Sequence, residues 1–125
     1  MKLYFYFIDE SYKEPKTEFR IEECEVVERP KTYKAVDRFP RGYYGGYVKK
    51  EDLEKTIEYS KNIVILLERD DEKAINIFVK SLNFDFRNKS IDYNKFVERV
   101  KRRLNVLGKI DEMDNFIKNI KEEQQ

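Results

Sequence analysis

The residues from Arg38 to Lys50, RFPRGYYGGYVKK, set four cations among four rings and three of the chain's four glycines. Exposed rings beside Arg and Lys suit single-stranded nucleic acid: bases stack on the rings, phosphates meet the cations, and glycines permit close approach. Arg38, Arg41, Tyr43, Tyr44, Tyr47, Lys49 and Lys50 would form that surface. Tyr and Arg are equally favoured as anchors at protein interfaces, so the same stretch can meet a protein partner. A plain structural reading also stands. Tyr43, Tyr44 and Tyr47 would then alternate between core and solvent on a hairpin strand, with Gly45 and Gly46 making a bulge or room for a crossing element. No Gly-rich stretch carries the lysine and Ser/Thr ending of a phosphate-cradling P-loop.

Other charged residues cluster in three places. Glu18, Glu22, Glu23, Glu25 and Glu28 crowd the segment TEFRIEECEVVER, which would repel nucleic acid and suit a basic protein surface. Glu22, Glu23 and Glu25 join the Tyr and Arg stretch as candidate partner-binding residues. Lys95, Arg99, Arg102 and Arg103 lie three or four apart and would share a helix face, where a solvated surface is the commoner meaning. In LLERDDEK, Glu68, Asp70 and Asp71 follow an apolar run, where carboxylates can hold Mg²⁺ for phosphoryl transfer. A helix cap and first-turn acids explain the same residues without a metal.

The single cysteine and the absence of histidine remove most familiar site chemistry. Structural zinc needs several Cys or His ligands, and nucleophile-histidine pairs need an imidazole. Cys24 cannot form an internal disulfide and reads as a small hydrophobe, with Glu22, Glu23 and Glu25 opposing a reactive thiolate. No metal, cofactor or catalytic residue is expected. Charged residues make up 41% of the chain, but 26 basic against 25 acidic residues leave no overall field to steer toward nucleic acid or membrane. The opening LYFYFI is too short for a signal-peptide core or a membrane span, so a cytoplasmic protein is expected.

These groups need elements to position them. A length of 125 residues fits a single domain, 1–125, with mostly strands over 1–50, helix-strand-helix over 51–89 and a helical arm over 90–125. KLYFYFID alternates Leu3, Phe5 and Phe7 against Tyr4, Tyr6 and Ile8, predicting a strand covered on both faces. In TEFRIEECEVVER the apolar parity shifts from Phe19 and Ile21 to Cys24 and Val26, which a bulge near Glu22 or Glu23 would produce. KTYKAV and YYGGYV read as a hairpin whose loop holds Pro40 and Gly42.

A short amphipathic helix is expected from KKEDLEKTIEYSK, and NIVILLE reads as a strand buried on both faces and central in its sheet. Asp70 or Asp71 would cap a helix burying Ala74, Ile75, Phe78, Val79 and Leu82. Ser90 would cap the next, with Tyr93, Val97, Val100, Leu104 and Leu107 on one seam and Val106, Ile110, Met113, Ile117 and Ile120 on another. Gly108 lies where the seams change phase, so a break or kink is expected there, with Asp111 capping a new helix. Such a seam either folds back on the sheet or pairs with a second copy, making a homo-oligomer through the C-terminal helices one outcome.

The order EVVERPKTYKAVDR, GYVKKEDLEKTI, ILLERDDEKA resembles small accessory proteins of bacteriophages and mobile elements in low-G+C Gram-positive bacteria, over about residues 18–80. That class has no agreed catalytic residues to carry across. The resemblance implies a role in the host cytoplasm, and such proteins include inhibitors of host defence systems such as anti-CRISPR proteins, which commonly act by occupying a surface. The expectation is an α+β fold, an antiparallel sheet of about four to five strands with helices on one side. Its expected function is non-enzymatic binding of a host protein or complex. Single-stranded nucleic-acid binding is the alternative, and Mg²⁺-dependent phosphoryl transfer is a further one.

Overall fold

The computed structural model describes residues 1–11, 16–57, 62–88 and 93–123. Strand β1 (Lys2–Ser11) pairs antiparallel with β2 (Lys16–Glu28) from Lys2↔Glu25 to Ser11↔Lys16. Strands β3 (Thr32–Ala35), β4 (Val48–Lys49) and β5 (Ile63–Leu66) complete an antiparallel sheet in the order β4-β3-β2-β1-β5. Helices α1 (Asp71–Asn88), α2 (Tyr93–Val106) and α3 (Glu112–Glu123) cover one face of the sheet. The fold is α+β, as the pattern of strands followed by helices predicts.

The alternation in β1 divides two cores. Tyr6 and Ile8 point to the helical side, where they meet Val64, Phe78, Leu104 and Phe116. Leu3, Phe5 and Phe7 point the other way, into a second core with Cys24, Val26, Tyr33, Val48 and Ile65. Among the described residues, none from α1, α2 or α3 packs in that second core. Phe39, Tyr43 and Leu53, from the irregular chain between β3 and β5, close it instead.

Two cores explain the parity shift in β2 without a bulge. The register with β1 is unbroken through Phe5↔Glu22 and Tyr4↔Glu23, so the expected bulge is absent. Phe19 and Ile21 pack on the helical side, whereas Cys24 and Val26 face the other core. The strand keeps its pleat and changes which face it buries.

Strand β5 is buried along its whole length, as expected, but it lies at the sheet's edge rather than its centre. The segment before it shields that edge: Glu54 N–H donates to Ile65 O at 3.1 Å and Ile57 N–H to Ile63 O at 3.0 Å. The helix expected over KKEDLEKTIEYSK is therefore replaced by a single 3-10 turn, Lys50–Asp52, and an irregular turn over residues 53–55 that leads to Thr56, which bridges to Val64. Leu53 and Ile57 bury into the non-helical core, a tertiary demand that overrides the local helical spacing. Residues 58–61, the end of that expected helix, lie outside the described residues.

The helices follow their sequence signals more closely. Asp70 caps α1, its carboxylate accepting the Lys73 N–H at 3.1 Å, and Ala74, Phe78 and Leu82 are buried while Ile75 and Val79 are half-buried. Between α2 and α3 the chain breaks at Gly108, with φ +72. Lys109 N–H donates to Leu104 O and Gly108 N–H to Asn105 O, the paired bonds of a left-handed helix stop. The arm folds back: Val100, Leu104, Leu107, Met113 and Phe116 all bury in the helical core. Ile110, expected on the second seam, is exposed. Ser90, and the side chains of Tyr93, Ile117 and Ile120, lie outside the described residues.

Candidate binding surface

The chain between β3 and β4 carries the Tyr, Arg and Gly stretch, and β2 holds it in place. Arg20 is the clamp. Its guanidinium lies 4.1 Å from the centre of the Phe7 ring and donates to Asp9 at 2.7 Å, to Glu22 at 2.8 Å and to the Arg41 carbonyl at 2.8 Å. The Asp9 bond is the main cause of a guanidinium pKa held above its ordinary value. Beside it the chain turns at Gly42, φ +103, where a Cβ would stand 3.2 Å from both Arg20 Nη2 and Phe7 Cε1. Only glycine fits that approach without strain.

Further contacts fix the rest of the loop. Cys24 Sγ donates to Arg38 O at 3.5 Å, and burial pushes the thiol pKa up, so the cysteine is a structural support for the loop. Phe39 and Tyr43 pack edge to face at 5.1 Å, and Tyr43 does the same against Phe5 at 5.4 Å. The Tyr43 hydroxyl donates to Tyr47 O at 2.7 Å.

The loop therefore sorts its tyrosines. Tyr43 is a half-buried strut, Tyr47 is 47% exposed, and Tyr44 at the tip is 87% exposed. The returning strand expected over YYGGYV shrinks to Val48–Lys49, because Tyr43 turns inward to roof the second core rather than pair with β3. Gly45 has the Tyr43 ring against it, 2.7 Å from where a Cβ would sit to the hydroxyl oxygen, whereas Gly46 has open space around it.

Arg38 and Arg41 do not stand apart from the acidic strand. They line one cleft with Glu22, Glu23, Phe39 and Pro40, of about 570 Å³. The acids of β2 are matched by neighbours: Glu18 with Lys16, Glu22 with Arg20, Glu23 with Lys2, Glu25 with the N-terminal amine and Glu28 with Lys50. Lys49 and Lys50 border a second cleft, of about 550 Å³, with Lys31, Thr32 and Tyr47. Lys50 also lies 5.3 Å from the centre of the Tyr33 ring.

Four of the other charged candidates, Arg99, Arg103, Asp70 and Asp71, have structural contacts. Arg103 is only 6% exposed and pairs with Glu10, which Arg99 also reaches at 3.6 Å, so the expected cationic helix face is partly spent on β1. The Lys95 side chain lies outside the described residues. Asp71 accepts the Tyr6 hydroxyl at 3.0 Å and pairs with Arg69, while Asp70 caps α1. Among the described residues no group of three or more His, Cys, Asp or Glu is placed to hold a metal ion, and no helix is long and apolar enough to cross a membrane. Comparison with known proteins finds no matching family model, curated protein or solved structure.

Arg20 is the residue that sequence reasoning missed. The one cation between Glu18 and Glu28, on a half-apolar strand, was its available signal.

Proposed function

We propose that the chain is a non-catalytic binding protein whose partner is a protein, met by the loop around Tyr44 and by the Glu22, Glu23, Arg38 and Arg41 cleft. The observation that carries this reading is Tyr44, 87% exposed at the tip of a loop that Arg20, Cys24 and Tyr43 tie to the sheet. A rigid loop presenting an aromatic side chain loses little entropy on binding, which is what an interface anchor requires. Mixed charge in the cleft favours a protein over a polyanion, since Glu22 and Glu23 would face phosphates beside Arg38 and Arg41. Following the resemblance to phage accessory proteins, the partner class is a host protein complex, and blocking a defence complex such as a CRISPR effector is the activity proposed.

The test is capture of host proteins from a bacterial lysate on the immobilised chain, with half of the lysate treated with nuclease, alongside a Tyr44→Ala chain. A defined complex that survives nuclease and is lost with Tyr44→Ala supports the reading. Binding that disappears with the nucleic acid overturns it in favour of single-stranded nucleic acid on Arg38, Arg41, Tyr44 and Tyr47.

A further inference from the structure

Strand β2 has 13 residues, and β1 pairs with it from Lys16 to Glu25. On its other side β3 pairs only with Val26–Glu28, and one further bond runs from Val36 N–H to Glu25 O. The chain after Val36 does not follow β2. It crosses the sheet face, so that a Cβ at Gly42 would stand 3.2 Å from Phe7 Cε1 on β1. Among the described residues, the outer edge of Lys16–Glu23 has no neighbouring strand.

Ladder geometry says which groups this leaves unpaired. Antiparallel neighbours alternate between bonded and non-bonded pairs, so each residue turns its N–H and C=O to one side only. Val26 N–H donates to Met1 O, which directs the even residues of β2 toward β1. Thr17, Phe19, Ile21 and Glu23 therefore turn theirs outward, and among the described residues no backbone hydrogen bond from another segment reaches these four. Side chains alternate as well. Phe19 and Ile21 are half-buried on the helical side, whereas Lys16, Glu18, Arg20 and Glu22 share the opposite face.

We infer that this edge pairs with the same edge of a second copy, antiparallel about a two-fold axis at Phe19. An unpaired edge is a template for strand addition, and a two-fold contact requires the patch to complement itself. The segment KTEFRIE, Lys16–Glu22, does so in one register. Centred on Phe19, it sets Glu18 opposite Arg20 and Lys16 opposite Glu22, each twice, while Phe19 meets Phe19 and Thr17 meets Ile21. Odd residues then face odd residues, so the outward N–H and C=O groups bond one another. Other centres do worse. At Arg20, Glu18 opposes Glu22 and Arg20 opposes itself; at Glu18, Lys16 opposes Arg20; like charges directly opposite are destabilising. At Ile21, Phe19 falls opposite Glu23, and Thr17 reaches Glu25, whose carbonyl Val36 already holds.

The charges keep their present partners in this arrangement. Lys16 holds Glu18 and Arg20 holds Glu22, each at 2.8 Å, within one strand. Across the edge every one of them meets the opposite sign again, so signs alternate both along and across the strands. Exposed pairs of this kind add little affinity and serve to select the register and the occupant. Backbone bonds and the Phe19 contact supply the attraction. The paired segment is short, which makes the contact small and concentration-dependent. This inference does not depend on the host-partner reading.

The test is sedimentation of the intact chain, with amide exchange of the ¹⁵N-labelled protein over the same concentrations. The mean mass rises from one chain near about 1 µM toward two near about 500 µM, the range of a small transient interface. As it does, the amides of Thr17, Phe19 and Ile21 slow. A single chain throughout overturns the proposal, and so does association that leaves these amides unprotected, which would move the contact to another surface. Lys16→Glu and Glu22→Lys each weaken association about tenfold, because each sets like charges opposite twice. An equimolar mixture of the two variants restores it, since both like-charge pairs become opposite pairs in the mixed dimer. Unweakened variants, or a mixture that associates no better than either alone, overturn the proposal. Tyr44→Ala leaves the mass unchanged, so failure of the loop reading and failure of the edge reading are told apart.

Discussion

The tyrosines of the loop show how one residue type takes three tasks within five positions. Tyr43, Tyr44 and Tyr47 are indistinguishable as letters; the ring contacts with Phe5 and Phe39 make the first a strut and leave Tyr44 to project. The turn that permits this depends on Gly42. Gly42→Ala, forced into φ +103 against Phe7 and Arg20, is expected to lower unfolding free energy by about 2 kcal/mol in urea titrations. Gly46→Ala, with open space around it, should change it by less than about 0.5 kcal/mol.

Tyr6 makes a second residue-scale prediction. Its hydroxyl donates to Asp71 and accepts the Asp70 N–H, each at 3.0 Å, and burial followed by the Asp71 bond pushes its pKa from 10.0 up to about 12. The folded state thus holds this proton more tightly than the unfolded state. Its contribution is complete below pH 10 and is lost as pH rises toward 12. Urea midpoints should fall across that window. Tyr6→Phe should cost about 1–2 kcal/mol at pH 7 and show a shallower fall at high pH, and an unchanged alkaline slope would assign the effect to other groups.

At the scale of elements, legibility followed how local each signal was. The β1 alternation, the α1 cap at Asp70 and the break at Gly108 were all readable, because each depends on neighbours within a turn or a pleat. The misreadings arose where a distant core decided the outcome. Leu53 and Ile57 have helical spacing, yet they bury beside Phe5 and Ile65, and Glu54 takes φ 63 to bond β5. Nothing within residues 50–61 encodes that edge. The candidate loop was legible as a cluster of residue types, but its placement beside Glu22 and Glu23 follows from the Arg20 clamp, which only the assembled sheet creates. Arg103 and Glu10 join α2 to β1 in the same non-local way. Glu10→Ala strands a buried cation and should destabilise by about 3 kcal/mol. Arg103→Met should cost clearly less, because Glu10 keeps Arg99 and the site accepts an apolar side chain. Urea titration of the two variants checks the order, and equal losses would mean that packing rather than charge governs the site.

For the whole molecule, the two faces of one sheet divide the labour. The helical layer buries Tyr6, Phe78, Leu104 and Phe116, while the opposite face spends its core on holding a loop that contains little regular structure. Charge follows the same economy: the acidic strand and the basic loop, segregated in sequence, interleave in space and balance to a net +1. Such a molecule projects little long-range field, so association should depend on local fit more than on steering. Binding of the captured partner, read by surface plasmon resonance, should lose less than about threefold in association rate between 50 and 300 mM NaCl. A polyanion on the same loop would lose affinity by orders of magnitude over such a range, since each neutralised phosphate releases a counterion. A steep salt slope that flattens with Arg38→Ala and Arg41→Ala would move the function to nucleic acid; a shallow slope that collapses with Tyr44→Ala would leave it with a protein.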